Sequence, residues 1–364
     1  MGGKIRVLAD ASALGDSRAT AGIGRYASSL LTELRRDDQV ALHAVQPPGP
    51  PPRESWAVRF AWAQPYIGPA ARLHRADLVQ CLASDPALFW PLRRQVVTLH
   101  DVIPWAAETP RGGVTGRYLA MQRRRLRRVG AVIAVSQATA DEAVNILDLD
   151  PARVTVVPEA VAQEFRAQAP EDEDSDRRHR AGAPDGRYLL WVGSTRAHDP
   201  RKDLDSLLAA LKLSRHAGTP MLFAGATGTE SERLAAAAAE LGVRVLVAGF
   251  VADETLAALY RGAAAVVLPS RHEGFGLTAL EALACGAPLI AARSANLPTL
   301  VGDSAILYAP GDVNALADAI DRVLDDPRLA ADLRVRGPRT AARYSWRKSA
   351  ELTVDVYRAL LASR

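Results

Sequence analysis

The 364-residue chain has only two cysteines, Cys81 and Cys285, one in each half. Thiols that far apart make neither a disulfide framework nor a cysteine metal cluster, and a reducing cytoplasm is the expected setting. Lysine is almost as scarce: among 45 basic residues only Lys4, Lys202, Lys212 and Lys348 are lysines, and the rest are arginines. No apolar run approaches the ~18 to 20 residues of a membrane span. The opening "MGGKIRVLAD" lacks the apolar core of a secretory leader, so a cytoplasmic protein is expected, with any membrane contact peripheral. Aromatics make up 5% of the residues and nowhere interleave with basic ones. That pattern excludes a stacking platform for single strands, and no nucleic-acid partner is expected.

What the chain does have is alternation. It is 48% hydrophobic and 24% charged, and long enough for two domains. In the first half "IRVLAD" (5–10), "VALHAV" (40–45), "DLVQC" (77–81), "QVVTLHD" (95–101), "AVIAVS" (131–136) and "VTVVPE" (154–159) read as buried strands. Helical periods lie between several of them, as in the stripe Ile23, Tyr26, Ala27, Leu30, Leu31, Leu34. The pattern breaks at 163–187, a charged, Pro- and Gly-punctuated stretch that reads as a linker with room for a short helix. It restarts with "YLLWVG", "PMLFAG", "VRVLVAG", "AAVVLPS", "PLIAAR" and "AILYAP". Strands apolar on both faces call for parallel sheets with right-handed crossovers. The expectation is therefore two doubly wound, Rossmann-like α/β domains, 1–162 and 188–344, facing across a cleft, with an amphipathic helix over 345–364 that needs a domain to pack on. The proline-rich 46–55 reads as a surface loop.

Ligands of open α/β sheets bind at the carboxyl ends of the strands, so the loops there are where chemistry is sought. The first is "AGIGRYASSLLTEL" (21–34), in which Gly22, Gly24 and Ala27 fit G-x-G-x-x-A. A nicotinamide site would place the first glycine directly after the strand and an acid about 20 residues on. Here residues 11–21 intervene, and the second strand ends in "VQPP" with no acid. Two readings remain: a glycine turn whose helix N-terminus faces phosphates, or a tight turn in which glycine serves only the backbone.

The second is "SRHEGFGLTALEALACGAPLIAA" (270–292). Gly274 and Gly276 permit close backbone approach, and the helix start supplies N–H donors for oxygen-rich ligands. Glu273 can accept from two neighbouring sugar hydroxyls, while Glu281, about two turns along, can reach a ribose. At this point the chain resembles a known family. "EGFGLTALE" fits the E-x7-E pattern of retaining glycosyltransferases of family 4, and the match continues through "EALACGAPLIAA", "SANLPTLVGDSAILYAPGD", "TLHDVIP", "VTVVPEAV" and "WVGSTRAHDPRKDLDSLLAA". It spans nearly the whole chain apart from 46–75 and the linker.

The resemblance implies the two-domain GT-B architecture, with the C-terminal helix crossing back to the N-terminal domain. It implies that the C-terminal domain binds a nucleotide sugar and the N-terminal domain presents a hydroxylated acceptor. His100, Lys202 and Glu273 match the family's catalytic positions. Lys202 stands for the lysine on the donor diphosphate, and an inserted "RAHD" leaves open whether Arg196 or Arg201 is its partner. Gly22, Gly24, Phe275, Gly276 and Leu277 would complete the diphosphate contacts. Val251, Gly274, Thr278 and Glu281 would flank the sugar and nucleoside with Glu273. Ile23, Arg25, Tyr26 and Asp101 fall on the acceptor side. Fixed cations beside a departing diphosphate stabilise the charge that develops there, and no metal or other cofactor is expected, so activity should persist in chelator.

The donor that the resemblance favours is GDP-mannose, with UDP- and dTDP-sugars as alternatives and a non-catalytic nucleotide-sugar sensor as another. The basic run Arg117, Arg123, Arg124, Arg125, Arg127, Arg128 has two readings: a solvated helix face, or a surface for an anionic acceptor or an acidic membrane.

Overall fold

In a computed structural model, residues 3–16, 18–19, 22–51, 56–106 and 113–363 are described. They divide into two compact units, Met1–Glu159 with Ser345–Arg364, and Ala160–Tyr344.

The first unit holds a six-stranded parallel sheet: β1 (Ile5–Asp10), β2 (Val40–Val45), β3 (Leu78–Cys81), β4 (Gln95–Leu99), β5 (Ala131–Ala134) and β6 (Val154–Val156), in the order β2-β1-β3-β4-β5-β6. The central strands are apolar on both faces because helices cover both. Every residue of β3, β4 and β5 is buried, whereas the edge strands β2 and β6, which read as buried in sequence, are half exposed. The helix Gly22–Arg36 buries Tyr26, Ala27, Leu30, Leu31 and Leu34, all but one member of the stripe read from its periodicity. The C-terminal helix Trp346–Ala362 belongs to this unit although the chain has by then passed through the other. Ser345 caps its N-terminus, Ser349 Oγ donates to the Pro158 carbonyl at 2.6 Å, and Trp346 meets the ring of Tyr26 edge-on.

The second unit carries β7 (Leu189–Val192), β8 (Met221–Ala224), β9 (Val245–Gly249), β10 (Ala265–Leu268), β11 (Leu289–Ala292) and β12 (Ala305–Tyr308). Their order is β12-β11-β10-β7-β8-β9, all parallel. Counted from β7, this is the 3-2-1-4-5-6 order of the doubly wound dinucleotide fold, with its topological switch point between β7 and β10. Its core runs from Trp191 and Phe223 to Leu207, Ile290, Leu316 and Ile320.

The stretch read as a linker, 163–187, contains the helix Glu171–Arg180, and that helix is part of the second unit. Its Asp174 is buried and grips Arg261 through both carboxylate oxygens, at 2.5 and 2.7 Å. A charged sequence thus reads as linker while one of its charges anchors it. Among the described residues no helix is long and apolar enough to cross a membrane.

Candidate active site

The switch point of the second sheet brings two loops side by side. The loop after β7 ends in a short 3-10 turn, Pro200–Lys202, opened by Asp199, whose side chain accepts from the Arg201 backbone N–H. The Lys202 ammonium donates to the Ser194 carbonyl and stands 5.7 Å from the centre of the Trp191 ring. Burial pulls its pKa below the usual lysine range, against the opposing pull of Asp199. The loop after β10 carries Glu273, whose carboxyl is raised by burial and only partly restored by Ser270, Arg201 and Lys202. A disfavoured ammonium and a disfavoured carboxylate on adjoining loops mark a place where a ligand would relieve both.

The two loops are joined directly. Arg271 donates its backbone N–H to the Arg201 carbonyl at 2.7 Å, and its guanidinium holds Asp203. Asp203 itself sits in left-handed backbone (φ 49°) at the entry to the helix Leu204–Leu213. Gly276 adopts φ 100° to begin the helix Leu277–Ala284, a conformation that favours glycine, and an added Cβ would also press on Leu297. Asn296, which no sequence signal singled out, donates to the Phe275 carbonyl at 2.8 Å and fixes the glycine loop from behind.

The loops place several residues singled out in the sequence. Arg201 is chelated by Asp199, at 3.0 and 2.7 Å, whereas Arg196 is exposed and has no ion pair among the described residues. Phe275 is buried edge-on against Tyr344, so only its backbone is available to a ligand. Leu277, Thr278 and Gly274 are half-buried around the helix start, and Val251 is half-buried in the turn after β9. Glu281, expected to reach a ribose, is 2% exposed and accepts from the Tyr260 hydroxyl at 3.0 Å. The short helix it belongs to is buried along nearly its whole length, which makes this carboxylate part of the wall.

In the first unit the strand order changes direction between β1 and β3, and the loops after β1, β3 and β4 converge. A cavity of about 160 Å³ there is lined by Arg18, Ile23, Arg59, Asp85, His100 and Tyr118, with Asp101 and Trp105 at its side. Asp16 is buried and held through both carboxylate oxygens by Arg18, at 2.6 and 2.9 Å, with Arg59 at 3.9 Å. Asp85 takes the hydroxyl of Tyr118 and the amide of Gln122. Burial raises the carboxyls of both Asp85 and Asp10. Sequence reading did not identify this cluster, because its members come from several loops with no common motif.

His100 does sit on this cavity, but each ring nitrogen has a partner: Glu159 Oε1 at 3.0 Å from Nδ1 and the Leu82 carbonyl at 2.9 Å from Nε2. Asp101 is half-buried and caps the Ile103 N–H at 3.0 Å. Arg25 is half-buried and Gly22 exposed at the helix start. Two residues of the opening loop are engaged within the unit. Gly24 donates its N–H to the Arg18 carbonyl at 3.1 Å, and a Cβ there would run into the Arg18 and Ala19 carbonyls. It serves the turn and offers no N–H to phosphate. Tyr26 is fully buried and bonded to Thr98 Oγ1 at 3.0 Å.

The arginine run is likewise divided. Arg123 and Arg127 clamp Asp148, and Arg125 reaches the Ala87 carbonyl at 2.6 Å with its pKa lowered by burial. Arg117, Arg124, Arg127 and Arg128 are the exposed members, Arg127 while clamped to Asp148. Among the described residues no group of three or more His, Cys, Asp or Glu is placed to hold a metal ion.

Comparison with known proteins agrees with this fold. Residues 20–165 match the family described as Glycosyltransferase Family 4, and residues 173–340 match Glycosyl transferases group 1. The D-inositol 3-phosphate glycosyltransferase of Acidothermus cellulolyticus is 39% identical over 241 residues, 62% of this chain and 52% of that protein. This match spans about half that relative's length. O-antigen chain mannosyltransferase B of Escherichia coli is 28% identical over 318 residues, 85% of this chain and 78% of the other. Among solved structures, Anabaena HepE in complex with UDP-glucose superposes with a TM-score of 0.75 at 17% identity, over 98% of this chain and 100% of that one. That likeness is one of fold.

Proposed function

We propose, from the premise that the chain belongs to the group 1 and family 4 glycosyltransferases and has their GT-B fold, that it moves a hexose from a nucleoside diphosphate sugar to a hydroxyl of an acceptor. The observation that carries this reading is the pairing of Lys202 and Glu273 on adjoining loops at the switch point of the second sheet, where burial disfavours the charged form of each. A donor supplies what both lack. Its diphosphate is an anion for Lys202, and its sugar hydroxyls are donors for Glu273.

In this reading Lys202, with Arg196 as the available second cation, stabilises the departing diphosphate. The backbone N–H groups around Gly276 and Leu277 contribute as a helix N-terminus does. Glu273 orients the sugar, while Val251, Thr278 and Glu281 border the nucleoside. Transfer proceeds with retention: the acceptor hydroxyl attacks from the face the diphosphate leaves, and its proton passes to a phosphate oxygen of the leaving group. The acceptor binds in the first unit, at the cavity beside Ile23, Asp85 and Asp101.

The donor we favour is a UDP-sugar. The uridine nucleotide bound to HepE suggests it through a likeness of fold. GDP-mannose is the second reading, suggested by the mannosyltransferase relative. A thermal-shift panel of UDP-, GDP-, dTDP- and ADP-sugars separates them, because only a ligand that binds the folded state raises its melting temperature. Stabilisation by one nucleotide family identifies the donor. No stabilisation by any of them contradicts the reading, and stabilisation without transfer to any hydroxylated acceptor points to a sensor.

A further inference from the structure

The His100 ring lies between two hydrogen-bond acceptors contributed by different loops. Nε2 is 2.9 Å from the Leu82 carbonyl oxygen, after β3, and Nδ1 is 3.0 Å from a carboxylate oxygen of Glu159, after β6. A carbonyl oxygen cannot donate, so Nε2 must carry a hydrogen to make its bond. A neutral imidazole has only one N–H, and with that hydrogen on Nε2 its Nδ1 would present a lone pair to the carboxylate. Both bonds form with an ionised Glu159 only when both nitrogens are protonated.

The surroundings hold this arrangement in place. The side chains of His100 and Glu159 are 12% and 4% exposed. The fully buried Tyr26 meets the imidazole edge-on, with centroids 4.7 Å apart, and its own hydroxyl is bonded to Thr98. The charged and titratable groups around it are Asp101 on its own loop, Asp85 after β3, Arg18 after β1, and Arg59 and Tyr118 from the helices lining the cavity. Arg18 and Arg59 are turned to Asp16, so Glu159 is the charge that meets the ring directly. Burial pulls the imidazole pKa down, but the Glu159 and Leu82 bonds outweigh it and the net direction is up.

We propose that Glu159 is a positioning residue that keeps His100 as a doubly protonated imidazolium, fixing a positive charge at the carboxyl edge of the first sheet. Both N–H groups are engaged within the protein. His100 therefore acts on a ligand through its charge and the polarised C–H edge of its ring, and neither as a base nor as an N–H donor. That consequence rests on the reading of His100 as a catalytic residue of the transfer; the charge state does not. The same pair ties together the loops that follow β3, β4 and β6.

Long-range proton–nitrogen spectra of the 15N-labelled full chain read the protonation of each histidine ring directly. There are seven histidines, and His100→Gln assigns the signal. In the parent protein both His100 nitrogens should remain protonated at pH values where an ordinary imidazole, titrating at about 6.5, is already neutral. In Glu159→Gln the amide can donate to Nδ1, so the ring should be neutral at pH 7.5. Turnover by the parent should be flat across this range, whereas that of Glu159→Gln should fall as pH rises. A parent ring that titrates near 6.5, or a Glu159→Gln ring that stays doubly protonated, would overturn the proposal. The spectrum needs no substrate, so a ring found neutral leaves the transferase reading standing. Conversely, an absence of transfer leaves the measured charge of the ring as it is.

Discussion

The Arg271 guanidinium holds the Asp203 carboxylate at two points, Nε to Oδ2 at 3.0 Å and Nη2 to Oδ1 at 3.1 Å. Arg271 stands two residues before Glu273 and Asp203 one residue after Lys202, so this contact sets the spacing of the two groups assigned to the donor. Arg271→Ala should therefore weaken nucleoside diphosphate binding about tenfold, or ~1.4 kcal/mol. The melting temperature should fall as well, since Asp203 is buried and would lose its guanidinium partner. Calorimetric titration of the variant checks this. Unchanged binding would mean the loops hold their spacing without the clamp.

Lys202 and the two arginines near it should differ in effect. Lys202→Met removes a cation aimed at the leaving group and should lower turnover by about 10²- to 10³-fold, by analogy with the loss of an oxyanion donor. Arg201 is already chelated by Asp199, while Arg196 has no such partner among the described residues. Steady-state kinetics should accordingly show a larger loss for Arg196→Ala than for Arg201→Ala. The reverse order would assign the diphosphate to Arg201.

Glu273 should trade stability for function. Burial raises its carboxyl, so the folded state favours the proton more than the unfolded chain does. The stability tied to this group is whole below the unfolded value of about 4.3 and is lost as pH rises through the higher folded value. Glu273→Gln cannot ionise. It should melt higher than the parent at pH 7.5, match it near pH 4, and be almost inactive. A variant that melts lower at pH 7.5 would show Glu273 to be a structural carboxylate.

The opening glycine loop supplies a paired test of structure. Tyr26→Phe removes one buried hydrogen bond, to Thr98, and should cost about 1 kcal/mol in denaturant unfolding without altering the acceptor KM. Gly24→Ala drives a methyl into two carbonyl oxygens and should destabilise the first unit well beyond that. A raised acceptor KM in Tyr26→Phe, with stability intact, would restore Tyr26 to the acceptor side.

The sheets were legible because parallel strands covered on both faces must be nearly continuous apolar runs, and each of the twelve runs read from the sequence contains one of the described strands. The helix Trp56–Leu73 was not read, since it carries Pro65 and Pro69 and has little amphipathic period. The helix Glu171–Arg180 was hidden by its charges, because nothing local marks Asp174 as the one residue that Arg261 will bury. The loops with Lys202 and Glu273 were legible from residue types that chemistry constrains. The partnership of His100 with Glu159 and Leu82, across 59 and 18 residues, was not, and neither was the cluster of Asp16, Arg18, Arg59 and Asp85. At Gly24 a phosphate-loop spacing coincides with a steric need of the turn.

The proposed action of Lys202 and Glu273 is on a nucleoside diphosphate sugar. Its most direct test is the rate at which nucleoside diphosphate is released from the stabilising nucleotide sugar in the presence of hydroxylated acceptors. Release should be selective for one nucleotide, accelerate with the right acceptor, and fall at least ~100-fold in Lys202→Met, as expected when a leaving-group cation is lost. Release that is absent with every nucleotide sugar, or equal in Lys202→Met and the parent, would contradict it.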